Sequence, residues 1–319
     1  MQESIVLPEF LTVFLNTQFG IGQIRRRAMR SINQANVSGS EVRKILIPIV
    51  SKKNQEEVAG LINNSIAAIR KSSANYVQAT TNLESELGLN KIQFNKPTGF
   101  VAKFSELEDS HRSDAQHFQP RFTQLFKHLN NFPTKRIREI QCYNRRGLQP
   151  EYVKNGTINV VNSQHLSPKH IDYAGLEKTS PTQFALAPVA HISRDDLLIY
   201  TTGAYIGRTN IYLSDEQALA SNHVNILRMA DGIDAAYMSL VFQSVVGQFQ
   251  TQKHARGSAQ AELYPADIDK FIVPLLPIKK QEAIGDLLRE SLVKQQESAR
   301  HLAAAKARVE QLIEEAVAK

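Results

Sequence analysis

An internal repeat constrains this chain more than any other feature of its sequence. The segment from Arg43 reads Arg-Lys-Ile-Leu-Ile-Pro-Ile-Val and leads through Ser-Lys-Lys-Asn-Gln-Glu into a long stretch of periodic apolar residues. The segment from Asp269 reads Asp-Lys-Phe-Ile-Val-Pro-Leu-Leu, and its Pro274 matches Pro48 at an offset of 274 − 48 = 226 residues. The offset continues without a gap into both stretches that follow. Such a chain contains two copies of one structural unit.

Each copy ends in a stretch that is predicted to form a long helix. Apolar residues recur there in steps of three and four, the spacing of a seam that faces another helix. Equal lengths in equal register favour two antiparallel partners of one coiled coil, roughly 50 Å long at about 1.5 Å per residue. The alternative is that each helix packs separately on its own domain. The residues predicted to pair the helices are Ile62, Ile69, Tyr76, Leu83, Leu288, Leu302 and Val309.

The repeat also divides the chain. Residues 110–232, which precede the end of the second copy, have no counterpart ahead of the first. We therefore expect an α+β fold, with a mixed α/β domain of short strands and two long antiparallel coiled-coil helices. The expected parts are a C-terminal remnant of a first domain (1–50), a first spacer helix (51–90), a complete domain (110–276) and a second spacer helix (277–319).

The remnant carries apolar side chains that would have nothing in their own unit to pack against. They are Val6, Phe10, Phe14 and Leu15. An exposed patch of this kind is either covered by a partner or prone to aggregate. We therefore expect the chain to associate with a second copy, with a separately encoded fragment or with other subunits.

Composition limits the class of protein. Of the 319 residues, 42% are hydrophobic and 22% are charged, as in ordinary globular domains. The single cysteine, Cys142, excludes an internal disulfide framework and a cysteine-rich zinc site. No stretch is apolar for long enough to cross a bilayer, and the first residues lack the order of a signal peptide, so a cytoplasmic protein is expected. A net charge of +7 favours a polyanionic partner.

Two turns in the complete domain carry side chains of the types that read bases. Gly203-Ala-Tyr-Ile-Gly-Arg-Thr209 has neither the spacing nor the lysine of a phosphate loop, and it leads into a β-rich run. It is predicted to be a strand–turn–strand hairpin whose turn presents Thr202, Tyr205 and Arg208 to a nucleic acid. The second turn presents Asn162 and Gln164, which can read adenine. An ordinary polar loop is the alternative for this second turn.

Two basic segments are candidate phosphate contacts. One is the cationic turn with Lys253, His254, Arg256 and Ser258, where Gly257 permits close approach of the backbone. The other is the basic turn Gln23–Arg30, whose arginines form either phosphate contacts or a solvated helix face.

Catalytic motifs are missing from the sequence. It has no Asn-Pro-Pro-aromatic run or glycine-rich cofactor loop of a methyltransferase, no acidic pair of a metal-dependent nuclease and no nucleophile elbow. Its nine histidines are scattered singly. The chain is therefore expected to be a non-catalytic binding module without a metal site. The alternative from another class is a nuclease or base-modifying enzyme with an unfamiliar site.

Three segments together resemble the DNA-specificity (S) subunit of type I restriction-modification enzymes. They are Gly147-Leu-Gln-Pro-Glu151, Asp196-Leu-Leu-Ile-Tyr-Thr-Thr-Gly-Ala-Tyr-Ile-Gly-Arg208, and Ile272-Val-Pro-Leu-Leu-Pro-Ile-Lys-Lys-Gln-Glu282 with the long helix after it. The resemblance implies double-stranded DNA as a ligand, with each of two target-recognition domains reading half of a bipartite site. It also implies two antiparallel helices as a spacer, which at about 50 Å would span about 15 base pairs.

The resemblance further implies partners that supply the chemistry. Modification subunits would use S-adenosylmethionine to methylate adenine, and a restriction subunit would combine motor and nuclease with ATP and magnesium. No cofactor is expected in this chain itself. With one complete recognition domain, the chain would read one half-site. A truncated interaction protein, which assembles with or competes against an intact S subunit, is the alternative.

Overall fold

The computed structural model describes residues 5–30, 35–95, 97–257 and 260–317. The chain divides into two units, one of residues 1–75 and 290–319 and the other of residues 76–289. The helices are α1 (Pro8–Leu15), α2 (Gln18–Arg27), α3 (Gly39–Val42), α4 (Lys52–Glu86), α5 (Phe104–Ser110), α6 (Pro120–Leu129), α7 (Ile137–Ile140), α8 (Pro181–Leu186), α9 (Ala235–Gln243), α10 (Val245–His254), α11 (Pro265–Ile268) and α12 (Ile278–Val317). The strands are β1 (Met29–Arg30), β2 (Ala35–Asn36), β3 (Thr134–Arg136), β4 (Gln141–Arg146), β5 (Ile158–Val161), β6 (Glu177–Thr179), β7 (His191–Ile192), β8 (Leu197–Tyr200), β9 (Thr209–Ile211), β10 (Ala218–Ala220), β11 (Val224–Met229) and β12 (Ile272–Pro274).

The first unit has a hydrophobic core of its own. Phe10 and Phe14 of α1 are fully buried against Val58 of α4 and against Ala305 and Val309 of α12. The expectation that Val6, Phe10 and Phe14 lack packing partners is therefore wrong, because the two long helices cover them. The segment Gln23–Arg30 also differs from the predicted turn, since α2 continues through Arg27.

A buried glutamine fixes the start of each long helix. The Gln55 Nε2 donates to the carbonyls of Ile5 and Val50, both at 3.0 Å, and its Oε1 accepts from the Leu7 N–H at 2.8 Å. The equivalent Gln281 donates to the Leu276 carbonyl at 2.7 Å and accepts from the Asp234 N–H at 3.1 Å. Leu7 and Asp234 are the N-caps of α1 and α9. Each amide therefore ties a helical hairpin to the long helix that follows it.

A second glutamine repeats in the same way. The Gln23 side chain donates to the Leu46 carbonyl and accepts from its N–H, both at 2.9 Å. Gln250 makes the same pair of bonds with Ile272, at 2.8 and 2.6 Å. The offset between these glutamines is 250 − 23 = 227, whereas Gln55 and Gln281 differ by 281 − 55 = 226. One residue must therefore be inserted between them in the first copy.

The additional residue lies between the two paired strands of a β-hairpin. In the first unit Met29 lies opposite Asn36, and in the second Arg256 bridges Glu262. The two spans are 36 − 29 = 7 and 262 − 256 = 6 residues. The predicted gapless offset thus holds from the second strand of the hairpin onwards, and the segments before it are shifted by one.

The long helices pair antiparallel within the first unit through two layers of serine. The Ser65 hydroxyl donates to the Ser298 carbonyl at 2.9 Å, and the Ser291 hydroxyl donates to the Ser72 carbonyl at 2.8 Å. Residue numbers fall on one helix as they rise on the other, which confirms the antiparallel arrangement. Adding 226 converts Ser65 into Ser291 and Ser72 into Ser298. The repeat therefore generates an internal two-fold relation between the layers.

The buried faces differ from the predicted seam in the middle of both helices. Leu83, Leu288 and Val309 are buried, and Ile62 and Tyr76 are half-buried. Ile69 and Leu302 are 39% and 37% exposed, because the small residues Ser65, Ala68, Ser72 and Ser298 occupy the interface instead.

The second unit contains two four-stranded sheets, with strand orders β6-β5-β10-β7 and β4-β11-β8-β9. All neighbours pair antiparallel except β5 and β10, which are parallel. The sheets share one core, to which Val161 and Ala218 contribute from the first sheet and Leu198 and Ile226 from the second. A further pair, β3 with β12, closes the end of the repeat. Helices α9 and α10 are separated at Ser244, whose hydroxyl accepts from the Val246 N–H to begin α10.

We predict that Ser65→Leu destabilises the chain. A leucine in this close helix contact overfills the layer and removes the bond to Ser298, at a cost of about 1–3 kcal/mol. The matched control is Ile66→Ser on the next position of α4, which is 40% exposed and should change the free energy of unfolding by less than about 0.5 kcal/mol. Urea unfolding of both variants measures this. Equal midpoints for wild type and Ser65→Leu would contradict the serine layer.

Candidate nucleic-acid interface

The turn between β8 and β9 is the predicted strand–turn–strand hairpin. The Gly207 N–H donates to the Tyr200 carbonyl, and the Tyr200 N–H donates to the Arg208 carbonyl, both at 2.8 Å. Gly203 and Gly207 have φ of 108° and 86°, a conformation that glycine adopts without strain. A Cβ at Gly207 would also approach the Thr251 side chain to 2.7 Å, so both backbone freedom and space require glycine there.

A second hairpin, in which Arg256 bridges Glu262, is hydrogen-bonded to this turn through backbone groups. Thr202 forms an isolated bridge with Glu262, and the Gly203 N–H donates to the Ala261 carbonyl at 3.0 Å. The Leu263 N–H donates to the Thr201 carbonyl at 2.9 Å. The fold therefore brings the motif around Arg208 next to the basic segment that contains Arg256, although 48 residues (256 − 208) separate them in sequence.

Arg208 connects the turn that contains Asn162 and Gln164 to the same surface. Its NH1 donates to the Leu166 carbonyl at 3.4 Å, which lies just after the 3₁₀ turn Ser163–His165. Its guanidinium also lies 3.6 Å from the centre of the Tyr205 ring, within the range of a cation–π contact. The predicted base-reading turns are thus neighbours, and we name this surface, formed by residues 162–166, 201–208, 256–257 and 260–264, the rim.

The side chains of the rim divide into exposed and structural groups. Tyr205 and Tyr264 are 55% and 41% exposed. Gln164 is exposed, and its carboxamide makes no hydrogen bond within the described part of the chain. An exposed carboxamide can bond both a donor and an acceptor on a base edge, and an exposed phenol ring can stack or donate. These groups are available to a ligand.

Thr202 and Asn162, by contrast, serve the fold. Thr202 is 5% exposed, and its hydroxyl accepts from Arg146 NH2 at 2.8 Å. The Asn162 side chain accepts from the Gln164 N–H at 3.1 Å and donates to Glu177, so it caps the turn. Their side-chain hydrogen bonds are thus used within the protein, and their predicted role as DNA contacts stays a prediction.

Arg146 contacts the rim and was not among the residues predicted from the sequence. At the end of β4 it donates to both Thr201 and Thr202, and its guanidinium lies 5.2 Å from the centre of the Tyr264 ring. The Glu262 carboxylate is 3.9 Å away. The signal in the sequence is Arg145-Arg146-Gly147, two arginines followed by a glycine at a strand end. The structure requires the glycine, because a Cβ at Gly147 would lie 2.1 Å from the Ala220 carbonyl oxygen.

Lys253 and His254 also differ from their predicted role, because they end α10 rather than lie on a turn. The Lys253 Nζ donates to the His117 carbonyl at 3.0 Å, and Arg112 NH1 donates to the Ala255 carbonyl at 3.0 Å. Burial, assisted by the nearby Arg112 charge, lowers the pKa of Lys253. The His254 ring stacks on Phe271 with centres 5.7 Å apart, and burial lowers the pKa of His254 to about 3. A neutral histidine lacks the positive charge that attracts a phosphate, and the role predicted for His254 stays a prediction.

Arg256 remains a candidate for contact with a phosphate. It is exposed on the second hairpin, although NH2 also donates to the buried Asp267 carboxylate at 2.6 Å. Gly257 has a φ of 100°. Ser258 lies outside the described residues.

Within residues 5–30, 35–95, 97–257 and 260–317, no group of three or more His, Cys, Asp or Glu side chains is arranged to hold a metal. No helix in those ranges is both long and apolar enough to cross a membrane.

We predict that His254 makes stability depend on acidity. Since its folded pKa of about 3 is below the unfolded value of about 6.5, only the unfolded chain binds the proton between these values. Stability should therefore fall as the pH falls below about 6.5, with up to about 1.4 kcal/mol per pH unit from this residue. His254→Phe, which keeps a ring against Phe271, should flatten the curve of unfolding free energy between pH 4 and 6. Parallel curves for both proteins would contradict the assignment.

Comparison with known proteins supports the fold. The sequence matches no protein-family model and no curated protein. The structure is similar to the S subunit of a type I restriction-modification system from M. genitalium, with a TM-score of 0.55 and 12% sequence identity over 98% of this chain and 73% of that one.

Two other solved chains match with lower TM-scores. One is the HsdS subunit from Thermoanaerobacter tengcongensis, with a TM-score of 0.38 and 15% identity over 97% of this chain and 68% of that one. The other comes from work on complex assembly and conformational transition of the type I R-M system, with a TM-score of 0.41 and 16% identity over 98% and 70% of the two chains. On the similarity to the M. genitalium protein, this chain has the fold of the S subunits of type I restriction-modification systems.

Proposed function

We propose that the chain is a DNA-specificity subunit that reads one half-site of double-stranded DNA with its second unit. The observation that carries this proposal is the rim, where the turn with Tyr205 and Arg208 meets the turn with Gln164 through the hydrogen bond of Arg208 to the Leu166 carbonyl. Carboxamides and guanidinium groups are the side chains that recognise bases in the major groove. The fold of an S subunit and the net charge of +7 support the same ligand.

Within the rim we assign different roles to the side chains. Gln164 has a free carboxamide and reads a base edge. Arg208 is held by Tyr205 and by the Leu166 carbonyl, so its remaining N–H groups are aimed by the fold. Arg256 lies on the adjoining hairpin and positions the duplex through a phosphate. Arg146 holds Thr201 and Thr202, and so acts through the shape of the turn rather than by contact.

Catalysis belongs to other subunits in this proposal. Modification subunits would bind S-adenosylmethionine and methylate adenine, and a restriction subunit would use ATP and magnesium. The long helices would be the scaffold. Ile66 and Ile69 are 40% and 39% exposed on adjacent turns of α4, and exposed apolar residues so close together favour a protein interface.

We predict that Gln164→Ala and Arg208→Ala change the DNA sequence preference. Each lost base contact should cost about 1–3 kcal/mol at one position of the site and relax selectivity there. Selection from a randomised duplex pool, followed by titration against the selected and random duplexes, measures this. Arg300→Ala is the control, because it removes an exposed positive charge of the first unit and should leave the preference unchanged.

Arg256→Ala provides the contrast for this experiment. Loss of a phosphate contact should weaken binding to all sequences alike and reduce the salt slope by about 1. If the Gln164 and Arg208 variants select the same sequence as wild type with the same affinity, the rim is not the reading surface.

We also predict that Ile66→Asp with Ile69→Asp abolishes co-purification with a modification subunit expressed from the same cell. Both side chains are partly exposed, so the folded chain should tolerate the change while an apolar interface should not. Leu186→Asp, at a residue 73% exposed on α8, is the matched control and should co-purify as wild type. Mapping of methylated adenines in the same cells would show loss of modification with the double variant only. Unchanged co-purification would remove α4 as the docking surface.

A further inference from the structure

Residues 45–49 of the first unit have no strand partner, whereas their counterparts in the second unit, residues 271–275, contain the paired strand β12. In the second unit β12 pairs antiparallel with β3, so that Val273 lies opposite Lys135. The Ile137 N–H donates to the Phe271 carbonyl at 2.9 Å, and the Leu275 N–H donates to the Pro133 carbonyl at 2.8 Å. Val273 is fully buried by this arrangement.

The first unit has the same glutamine hydrogen bonds that hold strand β12 in the second unit. Leu46 matches Ile272, since 272 − 46 = 226, and its N–H and C=O are bonded by Gln23 as those of Ile272 are by Gln250. In an extended chain the backbone groups of successive residues point to opposite sides. The N–H and C=O of Ile47 therefore face away from Gln23. Pro48, which lacks an N–H, is on the glutamine side and leaves the other side intact.

No strand covers this side among the described residues. The backbone of Ile47 and the N–H of Ile49 make no hydrogen bond there. Leu46, Ile47 and Ile49 are 77%, 37% and 63% exposed. An unpaired, apolar strand edge is a template for another strand, and several large exposed apolar residues together indicate an interaction site.

We propose that the edge formed by residues 45–49 binds an extended segment of a partner polypeptide in the manner of β3. The segment runs antiparallel with one residue opposite Ile47, as Lys135 lies opposite Val273. It donates an N–H to the Ile45 carbonyl and accepts from the Ile49 N–H, as residues 137 and 133 do in the second unit. This inference concerns protein binding and does not depend on the proposed DNA reading.

Charge and pairing favour a separate partner over a second copy of this chain. The β3 segment of a second copy is already paired with its own β12. In addition, exposed Arg43 stands where the second unit has Asp269, whose carboxylate accepts from the Asn144 amide at 2.8 Å. The partner thus meets a cation where β4 of this chain meets an anion. A carboxylate or a carbonyl oxygen, rather than an N–H donor, fits that position.

Amide hydrogen exchange of the full-length chain, with and without a peptide, tests the proposal. The probe is a synthetic peptide with residues 131–141 of this chain, which contains the β3 strand and the buried anchor Ile137. At saturation, exchange of the Ile47 and Ile49 amides should slow by at least about tenfold, since only the bound state protects them. A peptide with Lys135→Pro, which lacks the N–H opposite Ile47, should give no protection.

Variants of the full-length chain complete the experiment. Ile47→Pro removes one donor of the edge and should weaken peptide binding at least about tenfold, whereas Ile47→Val should stay within about twofold. Thermal unfolding of the Ile47→Pro protein should match wild type, because no described bond is lost. Equal binding to Ile47→Pro, or no protection by the peptide, would overturn the proposal. Light scattering that shows a dimer with Ile47 already protected would instead assign the edge to a second copy and would also overturn it.

Discussion

Buried glutamine amides hold each copy of the repeat together, and the remaining architecture depends on them. Gln55 and Gln281 are 2% and 3% exposed. Each must satisfy its amide inside the protein, because an unbonded buried polar group costs about 1–3 kcal/mol. Each does so with backbone groups from a helix N-cap and from the residue two positions before the long helix. A leucine could fill the space but could not join these two segments, and a glutamate could not donate to a carbonyl.

The same repeat made the long helices predictable but not their contact surface. Helix length and antiparallel pairing follow from periodic apolar residues and equal register. Ser65 and Ile66, however, are adjacent in sequence. A row of residues at helical spacing through Ser65 and one through Ile66 therefore differ only by a rotation of about 100° around the helix axis. The sequence favoured the isoleucine row because large apolar residues usually form a seam. The structure uses the serine row, where small side chains and hydroxyl bonds allow close approach, and leaves Ile66 and Ile69 on the surface.

In the candidate site, the sequence predicted the places better than the roles. Turns at the ends of strands were identified correctly, and the chain brings them together at the rim. Which side chains remain free depends on hydrogen bonds across long distances in sequence, and no local pattern contains them. The Thr202 hydroxyl accepts a hydrogen bond from Arg146, and the Lys253 ammonium donates one to the His117 carbonyl. Among the described residues the Gln164 carboxamide has no hydrogen-bond partner, while Asn162, two residues earlier, caps the turn.

The segments 45–50 and 271–276 also show that burial depends on neighbours that the local sequence does not specify. The two segments are similarly apolar. Val273 is buried by β3 while Ile47 is 37% exposed, and the difference lies in the neighbour rather than in the segment. Strand edges that face water are usually protected by charges or by proline. Pro48 does not protect this edge, because it occupies the side already filled by Gln23, and the open side keeps both its hydrogen-bonding groups and its apolar surface. That combination is expected of an interface rather than of a solvated loop.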